Sequence, residues 1–220
     1  MSAPAACFFD MDNTLMANDC DVSWKDFLIA EGVAAPEERS HSDRQWHAYL
    51  DGIVSEEEFV SFQLRQFSGK TPDEMAALVR KHFETVVRPR IYPQAREAVR
   101  QTVERGAFAV LLTATHRPVA QPVADDLGMT DAICTEAQLC DGRYTGHIEG
   151  RYNILDRKVE SARIWLAVRG LSLDQCAYYG DSEHDIPMLR AVATPIVINP
   201  QGRLLEIAQA EGWRVERWTL

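Results

Sequence analysis

The sequence has no run of about 18 apolar residues that could cross a bilayer, and its first apolar stretch turns acidic too soon for a signal peptide. No CxxC pair is present either. The five cysteines, Cys7, Cys20, Cys134, Cys140 and Cys176, are odd in number and scattered, which argues against a disulfide framework and for reduced thiols in a cytoplasm. Positive charge is short as well. With 23 Lys and Arg against 33 Asp and Glu the net charge is −10, so neither a nucleic acid nor an anionic membrane would find the basic surface it needs. Internal repeats, linkers and low-complexity tracts are missing. What is there is a chain of 220 residues, 46% hydrophobic and 25% charged. That is ordinary for a globular protein, and long enough for one domain carrying a smaller insert. An anionic partner would have to be met by locally placed cations or a metal.

The most telling stretch is Phe8-Phe9-Asp10-Met11-Asp12-Asn13-Thr14-Leu15. The short apolar run from Ala5 to Phe9 fits a strand buried on both faces of a parallel sheet. Asp10 then sits at the strand's carboxyl end, where open α/β sheets keep their ligands. Two carboxylates so close repel each other unless a cation or a shared proton lies between them. A hard ion such as Mg²⁺ is the simplest resolution; the competing reading is a polar turn after a strand.

After Leu15 the pattern becomes that of amphipathic helices. Trp24, Phe27 and Leu28 share one face, with Gly32 closing that helix. Ser55 and Glu58 form a capping box ahead of Val60, Leu64 and Phe67, and Thr71-Pro72-Asp73-Glu74 repeats the start signal ahead of Met75, Leu78, Val79, Phe83 and Val86. Apolar faces of this kind need one another, so residues 17–90 read as an inserted helical domain whose tryptophans are core. Residues 1–16 and 91–220 read as the α/β domain. Pro89 and Pro93 mark the return. From Ile91 strands and helices alternate. Strands are expected over 107–112, 131–135, 175–179, 195–198 and 213–218, helices over 94–106, 118–127 and 157–169, and a hairpin turn at Asp141-Gly142.

Three buried strands thus end in chemistry: Asp10 with Asp12, Thr113, and Asp181 with Asp185, while Lys158 opens a helix at the same edge. Four carboxylates, a hydroxyl and an ammonium suit phosphoryl transfer through a metal. One carboxylate can attack phosphorus and a second can move protons, with the metal and Lys158 offsetting charge on the phosphoryl oxygens.

On these four stations, in order on alternating strands, the sequence resembles the haloacid dehalogenase superfamily of aspartate-nucleophile phosphatases. The helical insert and the hairpin from Thr135 to Gly146 are similar to its phosphoserine-phosphatase-like branch, and Leu112-Thr113-Ala114-Thr115 is similar to members that act on histidinol phosphate. The resemblance implies a Rossmann-like, doubly wound, mostly parallel sheet with an all-helical cap inserted after the first motif. It implies Asp10 as nucleophile and metal ligand, and Asp12 as general acid/base with its backbone carbonyl on the metal. Asp181 would complete the Mg²⁺ site, Asp185 would support it or Lys158, and Thr113 and Lys158 would hold the phosphoryl group. One departure concerns the third motif. Where that branch carries glycines this chain has Leu155-Asp156-Arg157, so Arg157 competes with Lys158 for the role.

Further substrate contacts are expected from Asp19 and Asp21, which either pair with a substrate ammonium or merely start the helix at Val22. Arg65 is the candidate partner for a phosphoserine carboxylate, and His116 the candidate contact beside Thr113. His184 reads as local and Cys7 as a small buried hydrophobe. The expected function is a cytoplasmic, Mg²⁺-dependent phosphomonoesterase. It would work through an aspartyl-phosphate on a small phosphorylated metabolite of phosphoserine or histidinol phosphate type, with no nucleic acid or membrane partner. A phosphotransferase or mutase using the same intermediate, or a phosphate-binding protein without turnover, are the alternatives.

Overall fold

A computed structural model of the chain describes residues 3–220. Its seven strands form one sheet in the order β4-β3-β2-β1-β5-β6-β7. They are β1 (Ala6–Phe9), β2 (Phe108–His116), β3 (Asp131–Cys140), β4 (Arg143–Glu149), β5 (Cys176–Gly180), β6 (Thr194–Ile198) and β7 (Arg214–Glu216). Every pairing is parallel except β3 with β4. β1 lies between β2 and β5 and is buried along its whole length, as its unbroken apolar run requires. Cys7 and Phe9 belong to the core on one side of the sheet, and Ala6 and Phe8 to the core on the other. The first core takes in α5 (Pro93–Glu104) and α6 (Arg117–Leu127), and the second takes in α7 (Asp156–Ala167), α8 (Ile186–Ala191) and α9 (Leu204–Glu211). This is the doubly wound α/β fold, with Asp141 and Gly142 both at positive φ (49° and 73°) in the two-residue turn between β3 and β4.

Between β1 and α5 the chain makes four α-helices: α1 (Cys20–Ala30), α2 (Glu38–Leu50), α3 (Glu56–Leu64) and α4 (Pro72–His82). The segment leaves and rejoins the sheet through a narrow neck. Ala17 N–H donates to Arg90 C=O at 2.9 Å and Tyr92 N–H to Leu15 C=O at 3.0 Å. Both capping boxes read from the sequence are formed, at Ser55 and Thr71. α2 lies within the stretch read as helical but has no apolar stripe to mark it as a separate helix, since it buries no side chain. β2 also runs three residues past Thr113, to His116.

Candidate active site

Asp10 follows β1 directly, and its backbone N–H still donates to Tyr179 C=O at 2.9 Å, so its carboxyl projects from a fixed strand end. Lys158 in the first turn of α7 donates to Asp10 Oδ1 at 2.6 Å and to Asp185 Oδ1 at 2.8 Å. The Thr14 hydroxyl lies 3.1 Å from Asp10 Oδ2 and 3.0 Å from Asp181 Oδ1, and Gln201 donates to Asp181 Oδ2 at 2.8 Å. Asp185 is the most heavily tied. It accepts from Tyr178 Oη at 2.5 Å and from the N–H groups of Asp181 and Ser182 at 3.2 Å each. That embrace needs Gly180, where a Cβ would stand 2.7 Å from that of Asp185.

The electrostatics of this cluster follow from its burial. Desolvation pushes Asp10 up to about 6 against the pull of Lys158. It pushes Asp181 up to about 9, with the charges of Asp10 and Asp185 adding to the effect. Burial acts on Asp185 in the same sense, but Lys158 and the surrounding donors outweigh it and hold that carboxyl below its ordinary range. The donor set fits a hard divalent cation. Oxygens of Asp10, Asp181 and Asp185 lie within 4.8 Å of one another, and a cation there would offset the repulsion that raises Asp181. The Asp12 carboxyl is turned elsewhere: it accepts from Cys20 N–H, at the start of α1, and from Thr115 Oγ1, each at 2.7 Å. Burial, then the charges of Asp19, Asp10 and Asp21, raise it well above the usual carboxylate value.

These groups open on a cavity of about 340 Å³ whose lining includes Asp10, Asp12, Thr113, Lys158 and Asp181. Of the two basic residues competing for the third motif, Lys158 reaches the carboxylates and Arg157 pairs with Glu56 instead. Leu155, ahead of them, takes φ of +53°, a conformation that glycine adopts without strain. Asp19 caps α1 through Val22 N–H at 3.0 Å and also reaches the cavity. Asp21 lines the cavity, and among the described residues no donor meets its carboxyl. Burial, aided by Asp19, pushes Asp21 up to about 7.

Arg65 and His116 are not brought to the cavity. Arg65 pairs with Glu38 at 2.5 Å and lies over the Phe62 ring. His116 turns its ring edge-on to Phe67, 5.0 Å away, and its buried Nε2 has no hydrogen-bond partner. Sequence reasoning missed Trp46, Phe59, Tyr152, His184 and Gln201, all of which line the cavity. Trp24 is core as read, whereas Trp46 is only partly buried.

His116 and His82 should make the protein acid-sensitive. Burial pushes His116 down to about 3, with Lys25 and His82 adding to the effect, and pushes His82 down to about 4. Both are neutral in the folded state but titrate near 6.5 when unfolded, so their contribution is complete above that pH and is lost as the pH falls toward the folded values. By pH 5 the loss should be roughly 2 kcal/mol for each histidine. Melting temperatures from pH 7.5 to 5 should therefore fall less steeply for His116→Asn than for the wild type. Parallel curves would rule out this origin.

A family profile described as haloacid dehalogenase-like hydrolase matches residues 7–190. The chain is 31% identical over 212 residues to a histidinol-phosphatase of Neisseria meningitidis, covering 94% of this chain and 96% of that protein. It is 30% identical over 220 residues to a phosphoserine phosphatase of Mycobacterium tuberculosis, covering 96% of this chain and 70% of that one. Among solved structures, a Bordetella pertussis protein of unknown function superposes with a TM-score of 0.90 at 37% identity, covering 97% and 98% of the two chains. A phospho-aspartyl intermediate analogue of phosphoserine phosphatase shares the fold, with a TM-score of 0.67 at 15% identity, covering 97% and 93%.

Proposed function

The chain belongs to the haloacid dehalogenase-like hydrolase family and is a phosphoric monoester hydrolase; from that premise we propose that it dephosphorylates a small amino-alcohol phosphate through an aspartyl-phosphate on Asp10. The observation that carries this reading is the convergence of Asp10, Asp12, Thr113 and Lys158 on one cavity. Asp10 attacks phosphorus as the ester P–O bond breaks, and Asp12 gives its proton to the departing alkoxide. Water then attacks the aspartyl-phosphate, returning its proton to Asp12 and freeing Asp10 and phosphate. Lys158 and Thr113 hold the phosphoryl oxygens. Asp10, Asp181 and Asp185 would hold Mg²⁺, whose charge stabilises those oxygens and the buried carboxylates.

Helices α1 to α4, within residues 17–90, act as the cap over residues 1–16 and 91–220, and the cap selects the substrate. Lys158 is the only Lys or Arg among the cavity-lining residues, and Arg65 is engaged by Glu38. A phosphoserine carboxylate would thus go unpaired, at a penalty. An ammonium suits Asp21, whose carboxyl accepts no hydrogen bond among the described residues. A histidinol phosphate type of substrate, with an amine and no carboxylate, is the better fit, in keeping with the name of the Neisseria relative.

Two measurements test this. Hydrolysis of p-nitrophenyl phosphate should depend on Mg²⁺ and stop on chelation. Asp21→Asn should lower kcat/KM on an amino-alcohol phosphate at least about tenfold more than on its deaminated analogue, the scale of a lost charge-assisted contact. Equal losses would remove Asp21 from ammonium recognition.

A further inference from the structure

Part of the cavity's wall is aromatic. Although α2 buries no side chain, it presents Trp46 to the cavity. The indole stands 5.6 Å from the Phe59 ring of α3 and 5.7 Å from His184, which it meets edge-on at 65°. Tyr152, from the segment before α7, packs at 5.9 Å against Phe59. Trp46, Phe59, Tyr152 and His184 thus reach one cavity from four separate parts of the chain. Trp46 is not the sole aromatic link of α2 to α3, because Tyr49 of the same helix also stacks on Phe59 at 4.9 Å and 13°. Asp43, one helical turn before Trp46, lines the same cavity and shares its helix face.

We infer that this wall is a second subsite, which receives a planar, cationic ring of imidazole type carried by the substrate, with Trp46 as its specificity-determining residue. The inference rests on the amino-alcohol phosphatase reading and extends it from the amine to the rest of the substrate. Aromatic faces attract planar and cationic groups, and a desolvated indole does so most strongly. Asp43 and Asp21 would supply counter-charge to the ring and the ammonium. A cavity of about 340 Å³ is of the size that encloses such a molecule, and its many carboxylates suit a cationic one. A short aliphatic substrate would leave the wall uncovered.

The test compares histidinol phosphate with the phosphate ester of 2-aminopropan-1-ol, which has the same amino-alcohol head and no ring. Wild-type kcat/KM should favour the ring-bearing ester by at least about tenfold. Trp46→Leu should shrink that preference to below about threefold, through KM on the ring-bearing ester, and Trp46→Phe should restore most of it. Independently of any variant, histidinol should inhibit wild-type p-nitrophenyl phosphate hydrolysis at least about ten times more strongly than 2-aminopropan-1-ol. A wild type without preference, or a Trp46→Leu variant that loses equally on both esters, would overturn the ring subsite while leaving the phosphatase reading in place. If neither ester is hydrolysed while p-nitrophenyl phosphate is, the amino-alcohol reading falls and takes the ring subsite with it.

Discussion

Asp10→Asn should abolish steady-state hydrolysis of every phosphate ester while leaving a folded protein. A carboxamide cannot form the acyl phosphate, and removing a covalent nucleophile costs on the order of 10⁴ to 10⁶ in kcat. The fold should tolerate the change because Asp10 is held at high free energy. Burial pushes it up to about 6, and its charge is among the causes that raise Asp181. Asn keeps the shape and removes that repulsion, and Lys158 retains Asp185 at 2.8 Å and Tyr178 Oη at 3.2 Å. The melting temperature at pH 7.5 should therefore match or exceed that of the wild type. Acid-quenched wild-type enzyme should carry radiolabelled phosphate in a hydroxylamine-sensitive bond, and the variant should carry none. A folded Asp10→Asn protein that kept more than about a tenth of wild-type turnover would exclude the covalent route, because loss of a nucleophile is never that mild.

The carboxylates and Lys158 could be found in the sequence because each hangs from the end of a strand or the start of a helix whose burial pattern is local. β1 is four residues of unbroken apolar chain, and wherever such a strand lies in a parallel sheet its end faces the same edge. The pairing of β1 with β2 and β5 then draws together residues far apart in the chain. Thr115 was within reach as well, since it lies two residues past Thr113 and successive alternate residues of a strand share a face. The substrate-facing surface was harder. Trp46 sits on a helix with no apolar stripe, so nothing in the sequence fixes which way the indole points. Arg65 carries the right charge for a carboxylate, but Glu38, 27 residues earlier and on another helix, takes it up. Such pairings depend on how short helices pack against one another, and helical periodicity alone leaves that open.

Asp12→Asn should separate the two halves of the reaction. Asn preserves the volume, and its oxygen can still accept from Cys20 N–H, which in the wild type lies 2.7 Å from Asp12 Oδ1, so the chain around α1 should keep its course. What is lost is a carboxyl whose proton is retained by burial and by the neighbouring charges of Asp19, Asp10 and Asp21. In the first half-reaction that proton is needed in proportion to the basicity of the leaving alkoxide. kcat/KM on an alkyl phosphate should therefore fall by about 10² to 10⁴, and on p-nitrophenyl phosphate by less than about tenfold. The second half-reaction has the same chemistry whichever ester is used, because water attacks the same aspartyl-phosphate and Asp12 would have received its proton. kcat should accordingly fall for both esters. With p-nitrophenyl phosphate the variant should show a burst of nitrophenolate approaching one equivalent, followed by a slow steady state, while phosphate accumulates on Asp10. Equal losses of kcat/KM on the two esters, with no burst, would mean that Asp12 is not the proton donor and that its bonds to Cys20 and Thr115 serve only to anchor the start of α1.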